Sequence, residues 1–181
     1  DTLDFYEIDP EIVKIARDPA LFGFIEGCQP RAGIVMGDAR QSLGREGAPY
    51  DVIVVDAFSS DAIPVHLLTR EAMQTYLRRL APGGMLLLHI SNTHLRFNEI
   101  VASTARSLGL AVRIFDEYED ADAPAFVYRP TIAALARGDA DFGALAASDE
   151  WVVPDPSIRQ APWSDDFTSI LAAIVAKGGE D

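Results

Sequence analysis

A chain of 181 residues fits one domain of ordinary size and can bury one substantial hydrophobic core. Because 49% of its residues are hydrophobic, the composition excludes a mainly disordered protein. The 15 basic and 28 acidic residues give a net charge of −13, which repels nucleic acid and anionic lipid headgroups and attracts cations. We therefore expect a single domain over residues 1–181 that contacts neither nucleic acid nor a membrane directly.

Cysteine content and hydropathy bear on where the protein works. Cys28 is the single cysteine, so the sequence excludes an internal disulfide and a cysteine-based metal cluster. The sequence contains no signal peptide and no apolar run of about eighteen residues, which predicts a soluble, cytoplasmic piece. Because the chain opens on Asp1 rather than on methionine, we expect it to be part of a longer protein, which other segments could attach to a membrane.

The first predicted unit is a strand over residues 3–8 (LDFYEI), followed by a helix that opens at Pro10. Glu7 stands at the carboxyl end of this strand. In nucleotide-binding α/β units, an acidic residue in this place accepts hydrogen bonds from the ribose hydroxyls. Asp9 is a plausible N-cap of the helix, and Glu7 taken alone is equally consistent with a structural role.

The same order of strand, acidic residue and helix recurs at residues 32–45. The apolar segment 32–36 (AGIVM) predicts a strand, and residues 41–45 predict a helix. Between them, Gly37 permits close approach of the backbone, and Asp38 could accept a hydrogen bond from an exocyclic amine such as that of adenine. Taken alone, this is an ordinary strand-to-helix turn.

The stretch 50–64 (YDVIVVDAFSSDAIP) is the one around which the chain is organised. Residues 52–55 are four consecutive β-branched apolar residues, which is typical of a strand buried on both faces of a parallel sheet. Asp56 closes this run, at the end of a strand where open α/β sheets bind their ligands. The alternative is that Asp56 only caps the following turn.

The remaining elements continue the alternation of strands and helices. His89 lies inside a strand and is expected to be a core histidine with a hydrogen-bonded ring rather than a catalytic base. His94 follows that strand, and no partner for it can be named. The predicted elements are helices over residues 67–80, 97–108, 142–147 and 167–176, and strands over residues 85–90, 110–115, 125–128 and 131–136. The last two of these strands are candidates for an antiparallel edge hairpin.

Acidic residues follow three successive predicted strands: Glu7 with Asp9, then Asp38, then Asp56 with Asp61. Alternating strands and helices form a parallel sheet with right-handed crossovers, which brings the carboxyl ends of its strands to one edge. The sequence therefore predicts a pocket at that edge for hydroxyl groups, an amine and a cation.

The segments FYEIDP, MGDAR, YDVIVVDAFSSDAIP, APGGMLLLHISN and PWSDDFTSIL carry a resemblance, in this order, over most of the chain. Together they resemble the spermidine synthase-like branch of the class I adenosylmethionine-dependent transferases. The closing segment is similar to the end of bacterial members of that branch. The resemblance implies an α/β, three-layer Rossmann-like methyltransferase fold, whose mostly parallel sheet carries an antiparallel edge hairpin.

The resemblance also implies roles for the acidic residues. Glu7 would hold the ribose hydroxyls of the nucleoside, with Asp9 beside it, and Asp38 would hold the adenine amine, with Ala39 beside it. Asp56 would remove the proton of an amine substrate. The implied reaction transfers the aminopropyl group of decarboxylated adenosylmethionine to an amine such as putrescine, without a metal.

The sequence departs from the family pattern in two respects. The family's Asp-Ser-Ser-Asp turn is longer by two residues here, from Asp56 to Asp61, which puts in doubt the role of Asp61 at the far ammonium end of the substrate. The glycine-rich loop of the family's first strand and its small N-terminal β-domain are not found in these 181 residues. We therefore expect this piece to be inactive alone and the parent protein to be the transferase.

Two other functions stay open at this stage. A methyltransferase on the same scaffold would use adenosylmethionine itself and would not need Asp61. A non-catalytic domain would bind nucleosides or polyamines, or would dock onto a partner. The sequence does not decide the oligomeric state, and a homodimer is one of the open possibilities.

Overall fold

Strands and helices alternate along the computed structural model of the protein, which describes residues 2–27, 32–57, 63–92, 95, 97–116, 130–157 and 160–170. The strands are β1 (Leu3–Glu7), β2 (Ala32–Met36), β3 (Tyr50–Val55), β4 (Leu80–His89), β5 (Ala111–Asp116), β6 (Thr131–Ala136) and β7 (Trp151–Val152). The helices are α1 (Pro10–Arg17), α2 (Phe24–Gly27), α3 (Ala39–Leu43), α4 (Arg70–Arg79) and α5 (Phe97–Ser107), with 3₁₀ segments at Val65–Leu67 and Asp139–Ala147.

The chain divides into two compact units, Asp1–Gly47 and Ala48–Asp181. We call them the N-terminal unit and the C-terminal unit. The first holds β1, β2 and helices α1 to α3, and the second holds the remaining elements. The expectation of one domain over the whole length stays a prediction.

In the N-terminal unit, β1 and β2 pair in parallel, in a register that runs from Leu3 opposite Ala32 to Glu7 opposite Met36. The predicted strands and the helix after Pro10 are therefore confirmed. The segment between α1 and β2 also contains the short helix α2. The Phe24 ring of this helix lies edge-on to Phe5 of β1, with 6.5 Å between the ring centroids, and this contact holds α2 beside the sheet.

In the C-terminal unit, five strands form a sheet in the order β3-β4-β6-β5-β7. The pair β3/β4 is parallel, whereas β6 is antiparallel to both β4 and β5, and β7 is antiparallel to β5. The strand predicted at residues 131–136 therefore lies between β4 and β5, not at the edge. Its expected partner, residues 125–128, lies outside the described residues.

Strand β3, which lies at the edge of the five-stranded sheet, corrects the expectation for residues 52–55. Successive side chains of a strand point to opposite faces of the sheet. Ile53 and Val55 are buried on one face, but Val52 and Val54 are 48% and 62% exposed on the other. Strand β3 is therefore covered on one face only within the described structure.

Helices α4 and α5 supply much of the core of the C-terminal unit, and both contact the sheet. Their completely buried apolar residues are Ala72, Met73, Val101, Ala102 and Ala105. Within the part of the chain that the structure describes, no helix combines the length and the apolar character that crossing a bilayer requires.

Helix α4 begins at Arg70 rather than at residue 67 as predicted, and Thr69 is its N-cap. The Thr69 hydroxyl accepts a hydrogen bond from the Ala72 N–H and donates one to Asp165, with 2.8 Å between Thr69 Oγ1 and Asp165 Oδ1. The Asp165 N–H in turn donates to Glu71. A segment distant in sequence therefore completes the N-terminal cap of this helix.

Gly84 marks a close backbone approach between β3 and β4. The register of the two strands shifts between Tyr50 and Val52, and a Cβ at Gly84 would lie 3.0 Å from the carbonyl oxygens of Ala81 and Asp51. We expect Gly84→Ala to lower the free energy of unfolding by about 1–3 kcal/mol, because backbone atoms must move to admit the methyl group. Urea denaturation followed by circular dichroism measures this loss.

A matched control for this substitution is Gly138→Ala. A Cβ there would meet its nearest neighbour, Asp141 Oδ2, at 4.0 Å, which is ordinary contact. Equal losses of unfolding free energy in Gly84→Ala and Gly138→Ala would contradict the assignment of a close approach at Gly84.

Candidate functional site

The candidate nucleoside-binding residues Glu7 and Asp38 lie at the carboxyl ends of two neighbouring parallel strands of the N-terminal unit. Glu7 is the last residue of β1, and Asp38 follows β2 by two residues. The Gly37 N–H donates to the Glu7 carbonyl oxygen at 2.9 Å, which carries the pairing of the two strands past their ends. The predicted proximity of these two strand ends is therefore observed.

The backbone after β1 is organised by two carboxylates. The Asp9 N–H donates to Glu7 Oε1 at 2.8 Å, and the Glu11 N–H donates to Asp9 Oδ1 at 2.8 Å. Asp9 is the N-cap of α1, as the sequence indicated. One oxygen of each side chain therefore stabilises the turn from strand to helix.

Asp38 has a capping role of the same kind at α3. Its Oδ1 accepts from the Gln41 N–H at 2.8 Å, and Ala39 is the first residue of the helix. Gly37 before it has φ +124°, a backbone conformation that side-chain-bearing residues rarely adopt. Glu7 and Asp38 are both partly buried.

Glu7 also lines a pocket of about 140 Å³ that lies within the N-terminal unit. The other lining residues come from β1, α1, α2 and β2, and all of them are apolar: Phe5, Ile12, Val13, Ala16, Phe24, Ile25 and Ile34. A carboxylate at the margin of an apolar pocket can orient a ligand that carries hydroxyl groups beside an apolar or aromatic part.

In the C-terminal unit, Asp56 follows β3 directly and meets the end of β4. Val55 is opposite Leu88 in the parallel register, so the next residues of the two strands, Asp56 and His89, are neighbours. Asp56 Oδ1 lies 2.7 Å from His89 Nδ1. The Asp56 side chain is 62% exposed and the His89 side chain 19% exposed, so the carboxylate is the accessible member of this pair.

The histidine ring is held from its other side by Ser91. His89 Nε2 lies 2.7 Å from Ser91 Oγ, and that oxygen accepts a hydrogen bond from the Thr131 N–H at 2.7 Å. Ser91 is buried and Thr131 opens β6. A chain of hydrogen bonds therefore runs from the backbone of β6 through Ser91 and His89 to the exposed carboxylate of Asp56.

The sequence predicted the hydrogen-bonded ring of His89 but missed its link to Asp56. Each residue is the first polar one after an apolar run in a predicted strand. If the ends of the two apolar runs are aligned as neighbouring parallel strands, Asp56 and His89 fall side by side. This alignment is the sequence signal that could have predicted their contact.

Two candidate residues, Asp61 and His94, lie outside the described residues, as does Cys28. Among the residues that the structure describes, no group of three or more histidine, cysteine, aspartate or glutamate side chains could hold a metal ion. The arrangement of Glu7, Asp38 and Asp56 on one common edge stays a prediction, since the first two belong to one compact unit and Asp56 to the other.

Comparison with solved structures identifies the class of fold. The spermidine synthase of Thermotoga maritima matches with a TM-score of 0.53 at 14% sequence identity, over 97% of this chain and 57% of that protein. Human methyltransferase-like protein 13, solved in complex with SAH, matches with a TM-score of 0.52 at 20% identity, over 74% of this chain and 60% of that one. The chain therefore has the α/β Rossmann-like fold of class I methyltransferases and spermidine synthases, as predicted.

Comparison with curated sequences is more specific. The polyamine aminopropyltransferase of Vibrio vulnificus (strain CMCP6) is 35% identical over 94 residues, which are 50% of this chain and 30% of that protein. The match confirms the resemblance to the spermidine synthase-like proteins. No family model matches the sequence. The chain spans about a third of the length of the curated relatives it matches, at 30%, 31% and 27%.

Proposed function

We propose that the parent protein is an aminopropyltransferase. The nitrogen of an amine such as putrescine attacks the aminopropyl carbon that is bonded to the sulfonium sulfur of decarboxylated adenosylmethionine. The new C–N bond forms as the C–S bond breaks, and methylthioadenosine leaves. The observation that carries this proposal is the exposed carboxylate of Asp56, held at the end of β3 in a chain similar to polyamine aminopropyltransferases.

Asp56 acts as the base in this reaction. An amine attacks only as the free base, so its proton must be accepted by a nearby group, for which a carboxylate within hydrogen-bond reach is suited. His89 holds one oxygen of Asp56, and the exposure of the side chain leaves it accessible to a substrate. The carboxylate therefore both attracts the cationic amine and accepts its proton.

Glu7 and Asp38 bind the nucleoside part of the second reactant. Glu7 accepts hydrogen bonds from the ribose hydroxyls, with Asp9 fixing the turn beside it, and Asp38 accepts from the adenine amine beside Ala39. Their support is the placement of both acidic residues at the ends of two neighbouring parallel strands, where such units bind nucleosides. The aromatic base suits the apolar lining of the adjoining pocket.

The charge of the protein favours a polycationic substrate. A net charge of −13 raises the local concentration of cations and speeds their encounter with the protein. In this proposal Asp61 binds the far ammonium end of the amine. We place the reaction in the cytoplasm, and a homodimer is the assembly to test by light scattering.

The test of this proposal is a binding and product assay on the full-length protein. We expect decarboxylated adenosylmethionine to bind more tightly than adenosylmethionine, and putrescine or spermidine to yield methylthioadenosine and an aminopropylated amine, detected by mass spectrometry. The reason is that the decarboxylated form lacks the carboxylate that acidic surroundings repel. A clear preference for adenosylmethionine contradicts the proposal and favours a methyltransferase.

The methyltransferase remains the second candidate because methyltransferase-like protein 13 has a similar fold. Transfer of a methyl group from adenosylmethionine to an acceptor would establish it. Binding of methylthioadenosine without transfer to any amine would instead indicate a non-catalytic binding domain.

A further inference from the structure

The chain Thr131–Ser91–His89–Asp56 has the connectivity of a serine hydrolase triad but the opposite burial. In such a triad, histidine Nδ1 donates to a buried aspartate and Nε2 meets an exposed serine nucleophile. Here Ser91 is 9% exposed, and its oxygen already accepts from the Thr131 N–H, whereas the Asp56 side chain is 62% exposed. The accessible end of the chain is therefore the carboxylate, not the hydroxyl.

The hydrogen-bond partners give this chain a direction. The Thr131 N–H can only donate, so it fixes Ser91 Oγ as an acceptor on that side. The Ser91 hydroxyl oxygen lies 2.7 Å from His89 Nε2, so its proton can be donated to that nitrogen. At the other end, an ionised Asp56 can only accept, so His89 Nδ1 must carry a proton. A neutral ring that is protonated on Nδ1 satisfies both bonds at once, because it donates to Asp56 and accepts from Ser91.

From this we infer that His89 is a positioning residue for Asp56, locked in the Nδ1–H tautomer by Ser91 and the backbone of β6. The inference rests on the proposed function, in which Asp56 is the base. The bond from Nδ1–H fixes the rotation of the carboxylate, so that Asp56 presents itself to the amine in one orientation. His89 neither contacts the substrate nor accepts its proton.

Positioning of this kind affects turnover more than binding. The negative charge of Asp56 still attracts a cationic amine when the carboxylate rotates freely, but proton transfer requires an oriented acceptor. A displacement of about 1 Å at a reacting group can lower the rate on the order of 100-fold. The hydrogen bond from the Thr131 backbone N–H to Ser91 anchors these side chains to strand β6. The fold itself therefore sets the orientation of the Asp56 carboxylate.

The test compares three variants of the full-length protein by steady-state kinetics of aminopropyl transfer. We expect His89→Leu to lower kcat about 100-fold with little change in the KM for the amine, since it removes the donor to Asp56. His89→Asn places an amide donor close to the position of Nδ1 and should restore kcat to within about tenfold of wild type. The exposed His66 provides the control, and His66→Asn should leave kcat unchanged.

Two kinetic results would overturn the inference. One is a kcat of His89→Leu within a factor of two of wild type. The other is equal turnover in His89→Asn and His89→Leu, with both variants folded by circular dichroism, because a merely structural histidine gains nothing from the amide donor.

A second measurement does not depend on activity. Nitrogen-15 NMR of the imidazole rings should show His89 protonated on Nδ1 near neutral pH, and only the combined substitution of Ser91→Ala with Asp56→Ala should release the ring toward the Nε2–H form. An Nε2–H ring in the wild type overturns the inference, as does labelling of Ser91 by a fluorophosphonate. If the wild-type protein shows no aminopropyl transfer, the proposed function fails, while the NMR result still decides the tautomer.

Discussion

Asp56→Asn in the full-length protein is expected to lower kcat for aminopropyl transfer by about 10²- to 10⁴-fold, the range typical of general-base catalysis. The substitution keeps the size of the side chain. Its amide oxygen can still accept from His89 Nδ1, which lies 2.7 Å from the present carboxylate oxygen. What is lost is the negative charge and the capacity to take a proton from the amine. Steady-state kinetics with a saturating amine measures the effect.

The matched control for this substitution is Asp149→Asn, at an exposed aspartate of the same unit. It removes the same charge from the C-terminal unit and should leave kcat near the wild-type value. Methylthioadenosine binding should survive in both variants, since the nucleoside contacts are assigned to other residues. Turnover of Asp56→Asn close to that of Asp149→Asn would refute the role of Asp56 as the base.

The expected losses of kcat differ between substitutions at Asp56 and at His89. Removing the base abolishes the accepting group itself, whereas removing His89 leaves the group in place and costs only its orientation. The Asp56 effect should therefore be equal to or larger than the His89 effect. Combining the two substitutions should cost little more than Asp56→Asn alone, because both act on the same proton transfer.

The acidic residue after each strand was predictable from the sequence because local patterns determine it. An apolar run with a carboxylate at or just after its end defines both the strand and the position of the acid, as at Glu7, Asp38 and Asp56. The capping role of Asp9 followed from its place before Pro10. These features depend on neighbours within a few residues, and a single sequence carries that information.

Features that depend on distant segments were not predictable in the same way. The exposure of Val52 and Val54 depends on which elements cover each face of β3. An apolar run in the sequence does not reveal whether one face or both faces are covered. The position of β6 between β4 and β5 depends on which strands pair after a long connection. The contact of His89 with Asp56 depends on the parallel register of β3 and β4. Each is a consequence of tertiary pairing rather than of local propensity.

The closing segment around Trp163 is a further case of distant contacts, and it predicts the largest effect on stability. The Trp163 side chain is 1% exposed and lies edge-on to Phe97 of α5, with ring centroids 5.9 Å apart. Its backbone N–H donates to Thr104 Oγ1, and its carbonyl accepts from the Arg70 N–H at 2.8 Å. The residue therefore joins the start of α4 to the middle of α5.

Trp163→Ala is expected to lower the free energy of unfolding by about 3–5 kcal/mol, the usual cost of removing a fully buried aromatic side chain. The ring packs against Phe97 of α5, and a cavity would remain because the backbone bonds of residue 163 to Thr104 and Arg70 hold the surrounding segments in place. Urea denaturation followed by circular dichroism measures the loss, with the dependence on urea concentration unchanged if unfolding exposes the same surface.

The comparison variant is Trp151→Ala, which removes the other tryptophan of the chain. Trp151 is partly exposed on β7 and contacts Phe115 with 5.5 Å between the ring centroids. Since less of its surface is removed from water, its loss should cost clearly less than that of Trp163. A loss below about 1 kcal/mol for Trp163→Ala, or a ranking with Trp151 above Trp163, would show that the closing segment does not hold α4 and α5 together.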